Sequence, residues 1–147
     1  MGLVTFPARP SPVLADASFF IALLNKREAG HLRCLKAYQQ VDAPIVTCEA
    51  CIAETFHLLH HASRAVDALL KNIREGAIMI PFRLSDSVDE VHRHMERYVD
   101  TPCDFADACL IAMADQLGTG DILTLDSDFK HYRWRRNRRF NLLIPLD

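Results

Sequence analysis

Short apolar runs alternate along the chain with longer segments in which apolar side chains recur every three or four residues. The short runs predict β-strands at residues 12–15, 43–46, 77–80, 122–125 and 142–145. The longer segments predict α-helices within residues 17–24, 29–41, 48–59, 63–74, 85–98 and 105–117. This alternation predicts an α/β fold, a three-layer sandwich with a central, mostly parallel sheet of four or five strands and helices on both faces.

Polar residues at the starts of several helical segments predict where those helices begin. Thr47, Ser63 and Ser85 each stand where a side-chain oxygen can cap a helix. The segment 105–117 is apolar on nearly all sides, which predicts a helix buried in the middle of the molecule. The run 122–125 is almost continuously apolar, as expected for a strand covered on both faces, and 142–145 is predicted to be an edge strand.

Composition narrows the class of protein without identifying it. The chain has 147 residues, half of them hydrophobic, which predicts one globular domain over residues 13–147 after an extended, proline-rich lead-in over residues 1–12. The net charge of −2 excludes a strongly basic nucleic-acid binder, although a local basic patch remains compatible with it. No apolar run reaches the roughly 20 residues that span a bilayer, and the odd number of cysteines argues against a disulfide framework. We therefore expect a cytoplasmic protein with no membrane association.

Four carboxylates stand out against this background. Asp16 directly follows the first predicted strand and Asp126 follows the strand 122–125, so both should lie at the carboxyl edge of the sheet, where α/β folds bind ligands. Glu54 and Asp107 interrupt apolar helical segments. Buried carboxylates are unfavourable without a positive partner, and hard oxygen ligands suit Mg²⁺ or Mn²⁺. The sequence therefore indicates a divalent metal site.

Each acid also has an ordinary structural interpretation. Asp16 and Asp126 could simply cap helices, and Glu54 could lie on a solvated helix face. Asp104 and Asp107, three residues apart, could form an acidic first turn favoured by the helix dipole. The set of four together favours the metal interpretation, because two of the acids lie within apolar helices.

Four short motifs, taken in order, resemble the PIN-domain family, and in particular the VapC-type toxins of bacterial toxin–antitoxin pairs. The motifs are LADAS at 14–18, IAETFHLL at 52–59, DFADA at 104–108 and LTLDSDF at 123–129. The resemblance covers roughly residues 13–146. It implies a PIN-like fold and a Mg²⁺- or Mn²⁺-dependent ribonuclease that cuts RNA.

The resemblance also implies roles for individual residues. It places the catalytic, metal-binding acids at Asp16, Glu54, Asp107 and Asp126, with Ser18 as a hydroxyl residue that supports the site. Further acids near two of the motifs, Asp104 and Asp128, are candidate auxiliary ligands. The partners it implies are an RNA substrate, a small antitoxin protein and a second copy of the chain in a homodimer.

Two other features are open to more than one interpretation. Cys48 and Cys51 form a CxxC pattern, but no second pair completes a zinc site, so small core residues are favoured. The segment 130–139 interleaves basic and aromatic residues, which suits RNA phosphate contacts and base stacking next to the Asp126 loop. A solvated turn is the alternative. The candidate RNA-binding residues are Arg133, Arg135, Arg136, Arg138 and Arg139.

The leading functional hypothesis is a metal-dependent endoribonuclease. The alternative from a different class is a non-catalytic PIN-like module that binds RNA or protein, in which the acids are structural. A phosphatase that uses Asp16 as a nucleophile is disfavoured, because the usual pattern needs a second Asp two residues later and Ser18 stands there.

Overall fold

A computed structural model describes Val4 and residues 10–146. The predicted lead-in over residues 1–12 therefore lies mostly outside the described residues. The helices are α1 (Ala17–Leu24), α2 (His31–Gln40), α3 (Glu49–Leu59), α4 (Ser63–Arg74), α5 (Val88–Arg97) and α6 (Phe105–Leu117). The strands are β1 (Val13–Ala15), β2 (Ile45–Val46), β3 (Ile78–Met79), β4 (Asp121–Leu123), β5 (Arg133–Trp134), β6 (Arg138–Arg139) and β7 (Asn141–Leu142).

Five strands form one parallel sheet in the order β3-β2-β1-β4-β7. The central strand β1 lies between β2 and β4, with Leu14 opposite Val46 on one side and Ile122 on the other. The predicted parallel sheet is confirmed, and β7 is an edge strand as expected. Because all five strands run the same way, their carboxyl ends meet along one edge of the sheet.

Side chains of the central strands alternate between two hydrophobic cores, one on each face of the sheet. Leu14 packs into the core that contains α6, whereas Val13 and Ala15 pack into the core that contains Phe19 of α1 and Cys34 of α2. This alternation is what a pleated strand covered on both faces requires. It confirms the predicted three-layer arrangement.

Helix α6 is central to the first core and has the bounds that its apolar pattern predicts. Its N-cap is Asp104, whose carboxylate accepts the Asp107 backbone N–H at 2.8 Å. Every residue from Ala108 to Ala114 is buried. The helix ends at Gly118 in the left-handed conformation (φ 69°), which glycine adopts without a Cβ clash.

Three predicted helix caps are wrong. Cys48, not Thr47, is the N-cap of α3, because the Thr47 hydroxyl instead donates to the carbonyl of Ala15 and ties β2 to β1 (2.8 Å). Ser63 is the first helical residue of α4, after Ala62. Ser85 lies within a short 3₁₀ turn, and α5 begins only after Ser87.

The basic segment after β4 forms a hairpin that the hydrophobic pattern did not predict. Strands β5 and β6 pair antiparallel around a turn in which Arg135 and Arg136 have positive φ (41° and 76°). The Trp134 indole donates to the Arg139 carbonyl at 3.1 Å, and Trp134 is buried. The hairpin is therefore anchored by its aromatic residue and exposes its arginines.

Candidate metal centre

The first two acids meet at the carboxyl edge of the sheet, at the ends of adjacent strands. Asp16 directly follows β1, and its backbone N–H donates to the carbonyl of Leu123, the last residue of β4. Asp126 follows β4 by three residues and caps the 3₁₀ turn Ser127–Lys130. The parallel pairing of β1 and β4 is what brings these two carboxylates together.

The Asp16 carboxylate is held by hydroxyl groups on both of its oxygens. The Ser18 hydroxyl donates to Oδ1 at 2.6 Å, and the Thr124 hydroxyl donates to Oδ2 at 2.5 Å. The backbone N–H of Phe19 also donates to Oδ1 at 3.1 Å, so Asp16 does cap α1. Capping and a site role are compatible, since the carboxylate has lone pairs beyond those the cap uses.

Two helices bring the other predicted acids to the same place. Glu54 lies on α3 and Asp107 in the first turn of α6, and these two helices pack against each other. Together with Asp16 and Asp126 they line one polar cavity of about 80 Å³. Its lining residues are Asp16, Ala17, Ser18, Cys51, Glu54, Asp104, Ala106, Asp107 and Asp126.

The two candidate auxiliary acids differ in where they lie. Asp104 lines the cavity, beside Asp107. Asp128 does not belong to the lining; its backbone N–H donates to Asp126 Oδ1 at 2.9 Å and so helps to hold that carboxylate in place. The Tyr132 hydroxyl lies 3.1 Å from Asp107 Oδ2 and 2.5 Å from the carbonyl of Pro102.

Burial raises the pKa of every predicted ligand, and the neighbouring acids add to the effect. Burial raises the pKa of Asp16 to about 6, against the opposing hydrogen bonds from Ser18 and Thr124. Burial and the charge of Asp104 raise the pKa of Asp107 to about 8. The pKa values of Glu54 and Asp126 are also raised, mainly by desolvation. The ionised forms of these acids are therefore disfavoured in the absence of a cation.

The sequence argument was wrong about the burial of Glu54. Only Asp16 is buried, Asp107 and Asp126 are half-buried, and Glu54 is exposed despite its apolar neighbours along the chain. Helix α3 turns Thr55 inward in its place, and the Thr55 hydroxyl donates to the Cys51 carbonyl at 2.7 Å. Glu54 therefore stands at the rim of the cavity.

The donor set suits a hard divalent cation. All the charged side chains that line the cavity are carboxylates, and no Lys or Arg is among these described lining residues. Their oxygens are not gathered as tightly as direct ligands of a single ion would be, since no three of these carboxylates have oxygens all within 4.8 Å of one another. This spacing fits Mg²⁺, which keeps several waters and is bound by one or two carboxylates directly.

A second group of ligand-type side chains lies between α5 and α6, away from this cavity. In the described part of the chain, Glu90, His94 and Asp115 alone offer three ligand atoms within 4.8 Å of one another. His94 Nε2 lies 2.9 Å from Asp115 Oδ2, and Asp115 Oδ1 accepts the Arg135 backbone N–H. These contacts join the two helices and anchor the hairpin, so the group has a structural explanation.

None of the five predicted RNA-binding arginines lines the acid cavity. Arg135 contacts Asp115, which is eight residues beyond Asp107 on α6 and therefore about 12 Å further along the helix axis. Arg133 donates to the carbonyls of Lys130, His131 and Tyr132. The arginines of the hairpin turn are exposed away from the acid cavity, and their contact with RNA stays a prediction.

Two residues that contact the acids escaped the sequence analysis. Thr124 holds Asp16 and also accepts the Asp126 backbone N–H at 2.9 Å, so one hydroxyl connects two of the predicted ligands. Tyr132 reaches Asp107 from the segment before the hairpin. The LTLD motif contains the only sequence signal for Thr124, a polar residue in an otherwise apolar strand.

Comparison with known proteins identifies the family. The family model described as "PIN domain" matches residues 13–135, and the chain therefore belongs to the PIN-domain family. Among solved structures, the chain is similar to VapC20 of Mycobacterium tuberculosis, a toxin that cleaves the sarcin–ricin loop. The TM-score is 0.74 at 21% sequence identity, and the alignment covers 81% of this chain and 93% of that one. A search of curated protein sequences finds no match. No helix among the described residues is long and apolar enough to cross a membrane.

Proposed function

We propose that this protein is a metal-dependent endoribonuclease that hydrolyses phosphodiester bonds in RNA. The observation that carries the proposal is the convergence of Asp16, Glu54, Asp107 and Asp126, from four separate segments, on one cavity. A structural role alone gives no reason to gather four carboxylates without a cationic partner, since the charge of Asp126 raises the pKa values of the other three. Membership of the PIN-domain family supports the same conclusion.

In this proposal the four acids hold Mg²⁺ or Mn²⁺, and Asp104 adds a fifth carboxylate at the cavity. When bound, the metal lowers the pKa of a coordinated water and offsets negative charge on the phosphodiester. The hydroxyls of Ser18 and Thr124 keep the oxygens of Asp16 in fixed directions, so the carboxylate is oriented before the metal arrives. Asp128 orients Asp126 through its backbone N–H.

The rim position of Glu54 gives the cavity an open side. Because Glu54 is exposed while Asp16 is buried, a phosphodiester would approach from the Glu54 side. The raised pKa of Asp107 also makes this residue the one most able to hold a proton near neutral pH in the absence of metal. Metal binding would displace that proton.

We further propose that the protein is the toxin of a toxin–antitoxin pair, acting in the cytoplasm as one nuclease domain over residues 13–147. The structural likeness to VapC20 supports this assignment, together with the sequence motifs. A small antitoxin protein and a homodimer are the expected partners. Leu32 on α2 (74% exposed) and Leu70 on α4 (42% exposed) supply apolar surface that such partners would cover.

The test is the metal dependence of RNA cleavage by the purified chain. A fluorescent single-stranded RNA should be cleaved in Mg²⁺ or Mn²⁺, and excess chelator should abolish this cleavage. Ca²⁺ should restore it poorly, because Ca²⁺ coordinates more loosely. Recovery on adding back Mg²⁺ controls for irreversible damage. Cleavage that persists in excess chelator would contradict the proposal, and metal binding without cleavage would favour a non-catalytic binding module.

A further inference from the structure

Three thiols meet at the start of α3, and the site chemistry above does not use them. Cys48 is the N-cap residue and Cys51 lies in the first turn, with their Sγ atoms 3.5 Å apart in hydrogen-bond contact. Cys109 of α6 lines the same cavity as Cys48. All three are buried, so the expectation of core residues is confirmed, yet burial does not explain their mutual contact.

The arrangement favours a pair of thiols over a metal site. Among the described residues, the sulfur atoms of Cys48, Cys51 and Cys109 do not all lie within 4.8 Å of one another, so no three-thiolate ligand set is formed. Cys48 and Cys51 are in van der Waals contact, and a disulfide of about 2.0 Å requires the sulfurs to approach by roughly 1.5 Å. A CxxC pair at a helix N-terminus is also an arrangement that lowers the pKa of cysteine.

A surface cavity gives access to this pair. A cavity of about 170 Å³ is lined by Cys48 and Cys109 among mainly apolar side chains that include Phe82, Leu84 and Phe105. A cavity of this volume has room for a small uncharged oxidant. The neighbouring thiols of Cys109 and Cys51 lower the pKa of Cys48, which favours the nucleophilic thiolate there.

We propose that Cys48 and Cys51 form a dithiol that hydrogen peroxide oxidises to a disulfide. The Cys48 thiolate attacks one peroxide oxygen, the O–O bond breaks, and the leaving hydroxide is protonated to water, which leaves Cys48 as a sulfenic acid. Cys51 sulfur then attacks Cys48 sulfur, the S–O bond breaks, and hydroxide leaves as a second water with the Cys51 proton. Two thiols are oxidised and one hydrogen peroxide is reduced to two waters.

The disulfide would couple oxidation to the acid cavity. Cys51 also lines that cavity, one helical turn before Glu54, so drawing its sulfur toward Cys48 reshapes the cavity wall. This consequence rests on the proposed ribonuclease function. The formation of the disulfide itself does not, and the two are measured separately.

The experiment treats the reduced full-length protein with hydrogen peroxide, alkylates remaining thiols, and maps the peptides by mass spectrometry. The expected product is a Cys48–Cys51 cross-linked species lacking two hydrogen atoms and restored by dithiothreitol. Cys34→Ala, which removes a buried thiol in the other core, is the matched control and should form the same cross-link. In Cys51→Ser, Cys48 should instead accumulate as a sulfenic acid that dimedone traps.

Alkylation of both Cys48 and Cys51 in peroxide-treated, still-folded wild-type protein would overturn the proposal. A Cys48–Cys109 cross-link would also overturn it, because the resolving thiol would be a different one. RNA cleavage by the reduced and oxidised forms is recorded in parallel. If neither form cleaves RNA, the ribonuclease proposal fails while the disulfide result stands on the mass data alone.

Discussion

At the scale of single residues, one hydroxyl group connects two of the proposed metal ligands. Thr124 donates to Asp16 Oδ2 and accepts the backbone N–H of Asp126. It lies just beyond β4, is fully buried, and has Ser18 3.4 Å away. Thr124 is therefore a positioning residue, which acts on the proposed site through Asp16 and Asp126.

Replacing Thr124 with Val should weaken the site without unfolding the protein. Val keeps the branched shape but loses the hydroxyl, so one oxygen of Asp16 and the Asp126 N–H lose their partner. We expect activity or metal affinity to fall by about 10- to 100-fold, with a higher Mg²⁺ concentration needed for half-maximal cleavage. Thr124→Ser keeps a hydroxyl and should retain most of the activity. Thr119→Val, a substitution at another buried threonine, serves as the control. An unchanged Mg²⁺ dependence in Thr124→Val would refute the positioning role.

At the scale of elements, the sequence predicts best those helices and strands whose apolar pattern follows from burial. Helix α6 has its predicted bounds because its apolar face extends around the whole helix and Gly118 ends it. Caps depend on single hydrogen bonds with several competing donors, and Thr47 was misassigned because β1 offered its hydroxyl the carbonyl of Ala15. The hairpin was missed because β5 and β6 consist of three arginines and one tryptophan, so they show no apolar run.

The same limit applies to the candidate site. The order of motifs predicted which acids gather, since strand ends in a parallel sheet share one edge. It did not predict that Glu54 is exposed, because a single helix sequence does not reveal which side faces a neighbouring helix. Tyr132 was also missed, because its contact with Asp107 spans 25 residues and depends on how the chain folds back.

The hairpin arginines provide a test of RNA binding at the scale of one element. Arg136 and Arg139 are exposed on the turn and on β6. If both contact phosphates, replacing both with Gln should reduce the slope of log affinity against log salt by roughly 1.4, about 0.7 per contact for single strands. Affinity should fall about equally for all RNA sequences, because phosphate contacts carry no base information.

Binding is measured on a cleavage-deficient Asp16→Asn background, so that the RNA stays intact. Lys71→Gln with Arg74→Gln on α4 removes the same charge elsewhere and should leave most of the slope in place. Equal slopes for the hairpin variant and the unmodified background would mean that the hairpin faces solvent or a protein partner.

At the scale of the whole molecule, the acid cavity makes stability depend on pH in an unusual direction. The pKa values of Asp16 and Asp107 are raised in the folded protein to about 6 and about 8, from an ordinary value of 3.8. At pH values between the ordinary pKa and these raised pKa values, the folded state binds more protons than the unfolded state. The free energy of unfolding therefore falls as pH rises from about 4 to about 8, as far as these groups determine it.

Asp107→Asn should remove much of this dependence in chelator-treated protein. The free energy of unfolding of the variant minus that of wild type should be larger at pH 8 than at pH 5. The expected increase is on the order of 1 to 2 kcal/mol for a half-buried carboxylate. Urea unfolding at the two pH values measures the difference. Saturating Mg²⁺ should reduce it, since metal stabilises the ionised wild-type acids. Parallel pH profiles for the two proteins in chelator would contradict the assigned electrostatics.

The central claim is that the carboxylates of this cavity catalyse RNA hydrolysis. The most direct measurement is the cleavage rate of one labelled RNA in Mg²⁺ by wild type, Asp16→Asn, Asp107→Asn and Glu90→Gln, all confirmed as folded by circular dichroism. Glu90 belongs to the second carboxylate group, between α5 and α6, and is the matched control. The account predicts that both Asp variants lose cleavage by at least about 100-fold, roughly the 3 kcal/mol expected for loss of a group that acts in the transition state, while Glu90→Gln cleaves like wild type. Wild-type cleavage rates in Asp16→Asn and Asp107→Asn would contradict it.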